Sequence, residues 1–121
     1  MAILSDEAKQ LIQVTHPGLV ATAARNGMPN VSPKGSFQVL DDEHVAFANV
    51  HSPRSMANIA ENPQVSAIVF DPTTRHGCRI WGKAEVLHSG ELLDRINASM
   101  AARKMQASDV VVISVDEFVT F

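Results

Sequence analysis

Cys78-Arg79-Ile80-Trp81-Gly82-Lys83-Ala84-Glu85-Val86-Leu87 alternates residue by residue between two chemistries. A period of two is the signature of a strand with two different faces, because successive side chains leave opposite sides of the pleat. Cys78, Ile80, Gly82, Ala84 and Val86 make a small apolar face, and the other face carries Arg79 and Trp81. Before this strand, Asp71-Pro72-Thr73-Thr74 breaks the chain, and Gln64 to Phe70 is a continuous apolar run with the pattern of a strand covered on both faces. After it, Gly90 to Lys104 sets Leu92, Leu93, Ile96 and Met100 at helical spacing, with Arg103-Lys104 at the end that favours cations. Val110 to Val115 is a last strand, and Asp116 to Phe121 a short tail.

The N-terminal half is read in the same way. Ser5 with Asp6 and Glu7 starts a helix striped by Leu4, Ala8, Leu11 and Ile12, and Pro17-Gly18 stops it. Leu19 to Arg25 and Pro29 to Leu40 flank Asn26-Gly27, the strongest short hairpin signal. Asp41-Asp42-Glu43 is a turn, and Val45 to Val50 a third strand that leads into a helix beginning at Ser52. That helix shows Met56, Ile59 and Ala60 on one face and ends near Asn62, since Pro63 disfavours helical geometry before it. Six strands without regular strand-helix alternation predict an α+β fold on a closed or nearly closed antiparallel barrel, and exclude a doubly wound parallel sheet.

A chain of 121 residues fits one domain, 1–121, able to bury about two-thirds of its unfolded surface. No apolar run reaches the length of a membrane span and no basic-then-apolar leader opens the chain, so a soluble cytoplasmic protein with no membrane partner is expected. Cys78 is the single cysteine, which excludes an internal disulfide. The net charge is −3 and the Lys and Arg residues are scattered, so no nucleic-acid partner is expected and any phosphate site must be local.

Ser52-Pro53-Arg54-Ser55-Met56-Ala57-Asn58 offers such a site. Ser52 suits an N-cap and Pro53 the first helical position, leaving free amides and the positive end of the helix dipole facing outward. Arg54 adds a planar cation and Ser55 a hydroxyl where helix starts already favour phosphate. An ordinary capped surface helix with a solvated arginine gives the same local pattern. The six glycines form no dinucleotide fingerprint or phosphate-cradling loop, there is no nucleophile elbow, and the five histidines have no metalloprotease spacing, so no metal site is expected. His51 and His76 lie beside the site in sequence, either as exposed loop residues or as proton donors.

Pro29-Asn30-Val31-Ser32-Pro33-Lys34, Phe47-Ala48-Asn49 with Ser52-Pro53-Arg54-Ser55, Asn58-Ile59-Ala60-Glu61-Asn62-Pro63-Gln64-Val65 and Arg79-Ile80-Trp81-Gly82-Lys83-Ala84-Glu85-Val86 together resemble the pyridoxamine 5′-phosphate oxidase-like family of FMN-binding split barrels. The resemblance runs from about Gly18 to Val115. It implies a six-stranded split β-barrel with flanking helices, binding FMN as a homodimer with the flavin in the subunit interface. The phosphate would lie on Ser52, Arg54 and Ser55, supported by Asn58. The ring would lie along Val31, Ser32, Pro33 and Lys34, with Phe47, Ala48 and Asn49 contributing from the next strand. Arg79 and Trp81 would reach the site from the partner, or Trp81 would bury apolar area between subunits. Lys34 could sit near the edge of the ring that gathers charge on reduction, or be a solvated strand lysine.

The departures narrow the function. The oxidases that name the family are longer and carry a C-terminal tryptophan and arginine for substrate, absent here, so true pyridoxamine phosphate oxidation is not expected. Pro53 also stands where they have a second basic residue. The resemblance implies a small FMN-dependent oxidoreductase using a reduced nicotinamide, or an electron carrier with a redox partner, and no residue must act as acid or base. Two alternatives stand beside it: a deazaflavin-dependent reductase, and a flavin-free or heme-handling binding module in which His51 or His76 would ligate iron.

Overall fold

The computed structural model describes residues 2–121. Its longest strands run β6 (His76–Leu87) and β7 (Asp109–Thr120), antiparallel and in register from Cys78 opposite Thr120 to Leu87 opposite Val110. Around them stand α1 (Asp6–Val14), β1 (Gly18–Ala23), β2 (Pro29–Lys34), β3 (Gln38–Val39), β4 (His44–Asn49), α2 (Pro53–Glu61), β5 (Gln64–Asp71) and α3 (Glu91–Met100), the last continued by a 3-10 turn over Ala101–Arg103. The strands form one antiparallel sheet in the order β2-β1-β5-β6-β7-β4-β3.

That order dictates a curl. β2 and β3 are the two edges, yet only Gly35, Ser36 and Phe37 join them. The four steps from Lys34 to Gln38 reach at most about 14 Å, whereas six strand spacings laid flat would part the edges by about 29 Å. The sheet therefore bends back on itself into a split barrel of the α+β class. It holds seven strands where six are expected, because Gly35 and Ser36 turn the chain in the middle of the Pro29 to Leu40 run, with the Phe37 amide donating to the Lys34 carbonyl at 3.2 Å.

Inside the curl lie Ile12, Val20, Phe37, Val45, Phe47, Val69, Ile80 and Ile113, all fully buried or nearly so. β4 is buried on both faces. Val45 and Phe47 join this core, while the small Ala46 and Ala48 turn outward and receive Leu93, Ile96 and Met100 of α3. The N-terminal helix forms as expected, with Ser5 Oγ accepting from the Ala8 amide at 3.1 Å. The hairpin also holds, with Gly27 at φ 90 supplying the left-handed turn residue after Asn26.

Three expectations are corrected. The segment from Asp116 to Phe121 is mostly strand: Asp116 is the extra residue of a bulge between Trp81 and Gly82, which breaks the alternation, and pairing resumes to Thr120. β5 is not covered on both faces, since it alternates, with Val65, Ala67 and Val69 inward and Phe70 45% exposed. Ala60 is exposed, because Asn58 donates to Thr22 Oγ1 at 3.0 Å and turns Ser55, Asn58 and Ile59 to the inside of α2.

Candidate functional site

The start of α2 and the end of β2 meet at the split of the barrel. Ser52 sits at the helix N-cap but its side chain makes no capping bond, contrary to the reading of its sequence. Its hydroxyl instead takes the Lys34 ammonium, which reaches across from the edge strand. The first-turn amides of α2 are thus left without the side-chain acceptor that usually satisfies them. Ser55, one turn on and buried, is a hub: Ser32 Oγ lies 3.3 Å from its hydroxyl and Asn30 Nδ2 donates to it at 3.5 Å. Arg54 is exposed and has no ion pair among the described residues.

Lys34 is only 8% exposed, and burial lowers its pKa below the ordinary lysine value of 10.5. Its ammonium also stands 5.2 Å from the centre of the buried Phe47 ring. Among the described residues no carboxylate pairs with it. A buried cation with only a hydroxyl and a ring for company is electrostatically unsatisfied and favours an incoming anion.

Beside this pair opens a cleft of about 720 Å³. Pro33, Lys34, Ala48 and Ser52 line one side, and Ile96, Met100 and Arg103 from the end of α3 line another. Its lining carries Lys34, Arg103, His16 and His51 and no aspartate or glutamate, in a chain with 13 of them. A cleft lined by one sign of charge concentrates ligands of the other.

The remaining candidates separate into those that join this site and those that do not. Asn49 turns away: its Nδ2 donates to Asp109 Oδ2 at 2.9 Å, and its Oδ1 is buried without a partner among the described residues. Hydrogen bonds from Asn49, Ser108 and His88 hold Asp109 below the usual carboxylate pKa. Val31 points outward and is 64% exposed. It begins a row of register partners, Val31-Ala21-Ser66-Trp81-Glu117, beside a second row, Pro33-Leu19-Ile68-Arg79-Val119. Arg79 and Trp81 therefore lie on the outer sheet face, three strand spacings or about 14 Å from β2. Trp81 instead lines a second hollow of about 580 Å³ with Gln64, Asp116 and Glu117.

A model of the family described as pyridoxamine 5′-phosphate oxidase matches residues 4–120. The chain belongs to the pyridoxamine 5′-phosphate oxidase family. No curated protein matches the sequence. Among solved structures the fold is similar to HupZ of Group A Streptococcus, at a TM-score of 0.90 and 24% identity, over 98% of this chain and 94% of that one. It is similar to an FMN-binding protein from Syntrophomonas wolfei at a TM-score of 0.85 and 18% identity, covering 95% and 84%. It is also similar to an F420 reductase at 0.73 and 21%, covering 96% and 98%. At these identities the likeness shows the shared fold.

For a member of this family, the α3 wall of the cleft is the part that sequence reasoning missed. Arg103 reads there only as a favourable charge at a helix end, whereas α3 stops at Met100 and the 3-10 turn carries Arg103 to the cleft. Thr22 and Asn30 were missed as supports of α2, since a lone polar residue in a strand gives no sign of its partner. His51 lies in the cleft lining, while His76 opens β6 with its ring 3.3 Å from the Phe121 carbonyl.

Proposed function

We propose that this chain is an FMN-binding flavoprotein, a small oxidoreductase or electron carrier, and that residues 1–121 act as one such domain in a homodimer. The observation that carries the reading is the pairing at the barrel split: a helix start with no side-chain cap, and a buried Lys34 held on Ser52 with no carboxylate partner among the described residues. Both call for an anion at one place, and a phosphate monoester answers both. Ser52, Arg54 and Ser55 would hold the phosphate, with Asn58 fixing the helix through Thr22. Val31, Ser32, Pro33 and Lys34 would run along the ring, with Ala48 lining the cleft beside them, Phe47 buried beneath the Lys34 ammonium and Asn49 as a rigid support through Asp109.

FMN would supply the one- or two-electron chemistry, and the chain's own residues would bind and orient it. Membership of the family and the FMN-binding neighbour support this reading. Among the described residues no helix is long and apolar enough to cross a membrane. The homodimer is supported by the outer sheet face, where Leu19, Val31, Phe70, Trp81, Val119 and Phe121 are each more than a third exposed. A second copy on that face would cover them and bring the partner's Arg79 and Trp81 toward the flavin.

The experiment is reconstitution of the purified protein with FMN, followed by equilibrium titration of the wild type and Arg54→Ala. Removing a charge-assisted contact should weaken binding by about 1.5 to 3 kcal/mol while the fold persists. Equal affinity in both proteins would remove Arg54 from the phosphate site.

A further inference from the structure

We propose that Asn26 is a site of spontaneous covalent modification, in which the Gly27 backbone nitrogen displaces its side-chain amide and the product loosens the β1–β2 hairpin. The inference does not depend on the flavin reading. Asparagine is thermolabile because its side-chain carbonyl lies within reach of the next backbone nitrogen, so the attack is intramolecular. In this step the Gly27 nitrogen gives up its proton and bonds to Cγ of Asn26, and the Cγ–Nδ2 bond breaks with release of ammonia. Water then opens the resulting succinimide at either carbonyl. That leaves aspartate, or isoaspartate with a side-chain carbon carried into the main chain. Nothing is oxidised or reduced, and solvent water is the only co-reactant.

The turn is built for that attack. Asn26 and Gly27 are both exposed at the hairpin tip, and a Cβ placed on Gly27 would meet nothing within 4 Å. The ring has room to close and water has room to enter. Gly27 sets no side chain beside the attacking nitrogen, and its φ of 90 lies where glycine moves freely. The Met28 amide donates to Asn26 Oδ1 at 3.1 Å. That bond draws electrons from Cγ and stabilises the negative charge its oxygen gains as the nitrogen adds, as backbone donors do for other tetrahedral intermediates. The opposing restraint is the bond from the Gly27 amide to the Ala24 carbonyl at 2.9 Å. It sits at a solvated loop tip, where local opening costs little, so it slows the attack without forbidding it.

The other asparagines lack this combination. Asn30, Asn49 and Asn58 precede the β-branched Val31, Val50 and Ile59, Asn97 precedes Ala98 inside α3, and the Pro63 nitrogen after Asn62 has no proton to give. The consequence follows from where the turn stands. It sets the register that pairs Ala23 with Pro29 and Thr22 with Asn30, and β2, as an edge strand, is paired only with β1. Isoaspartate lengthens the main chain inside that turn. Either product also puts a carboxylate next to Arg25, whose amide donates to the Glu61 carboxylate at the end of α2, and like charges repel there. Asn30 and Ser32 of β2 both bond Ser55, so a loosened register reaches the start of α2.

The test is to age the purified full chain for weeks in neutral buffer, well below its melting temperature, beside the same chain unfolded in urea. Peptide mass mapping at intervals should find Asn26 heavier by the difference between water and ammonia before any other asparagine changes. Asn26→Ser, whose hydroxyl suits the same turn position, should age without that conversion. Converted molecules carry an added negative charge and separate by anion exchange, and they should melt about 3 °C or more below the unconverted ones from the same sample. An asparagine elsewhere that converts first would overturn the site. So would an Asn26 that stays intact in the folded chain while the unfolded chain is converted, since the turn would then protect it. Converted and unconverted fractions that melt together would overturn the effect on the hairpin.

Discussion

Lys34 is 8% exposed, and among the described residues its ammonium meets only the Ser52 hydroxyl and the face of Phe47. Burying a charge on such terms costs stability, so the folded state holds this proton less tightly than the unfolded chain does. The sign follows directly. Below the lowered pKa the folded state bears the full penalty of the charged amine. As pH rises through that pKa toward the ordinary 10.5, the penalty is relieved and stability rises. Lys34→Met, which keeps the stem and removes the charge, should therefore raise the melting temperature of the cofactor-free protein, flatten that alkaline rise and weaken FMN binding. Thermal melts from neutral to alkaline pH, with and without FMN, check all three; a Met variant less stable than wild type throughout would contradict the account. The position of Lys34 on the second strand was legible from the sequence. Its partner was not, since Ser52 read as a cap for its own helix and only the curl of the sheet brings the two together.

The elements were legible wherever a local pattern controlled them. The capped first helix, the Asn26-Gly27 hairpin, the helix between Pro53 and Pro63, and the alternating strand around Ile80 all form as the sequence implies. The losses came where pairing overrides local pattern. β7 continues beyond Val115 because β6 is there to pair with it, and the bulge at Asp116 hides this in the sequence by shifting the alternation by one residue. Gly82 makes that bulge possible: a Cβ on it would stand 2.2 Å from the Ser114 carbonyl oxygen and 2.9 Å from an Ile113 methyl. The backbone oxygen cannot withdraw without breaking the ladder. Gly82→Ala should thus destabilise the protein by about 2 kcal/mol or more, within the range for forcing atoms into a packed interior. Chemical denaturation measures this, and a loss below about 0.5 kcal/mol, typical of surface substitutions, would show that β6 and β7 can part locally.

At the scale of the whole molecule, a seven-stranded sheet curled by its short β2–β3 link makes two surfaces of different use. The inner one is filled by the core, and the split at its edge holds the cleft. The outer one leaves Trp81 37%, Leu19 42% and Val31 64% exposed in two register rows. The sequence gives Trp81 a place in a two-faced strand, but which candidates share a site depends on strand order, and strand order is not written in any single segment. Trp81→Glu should convert a dimer to monomers by putting a charge into an apolar interface, with little change in secondary structure. Sedimentation velocity beside circular dichroism distinguishes this from unfolding, and a dimer that survives the substitution would move the interface elsewhere. The most direct test of the central claim is titration of the cofactor-free protein with FMN, followed by absorbance and by melting temperature. The account predicts saturable uptake of one FMN per chain, flavin bands held by the protein after dialysis, and a melting temperature that climbs with FMN concentration, as a ligand specific to the folded state requires. A colourless protein after dialysis, with a melting temperature indifferent to FMN, would contradict it.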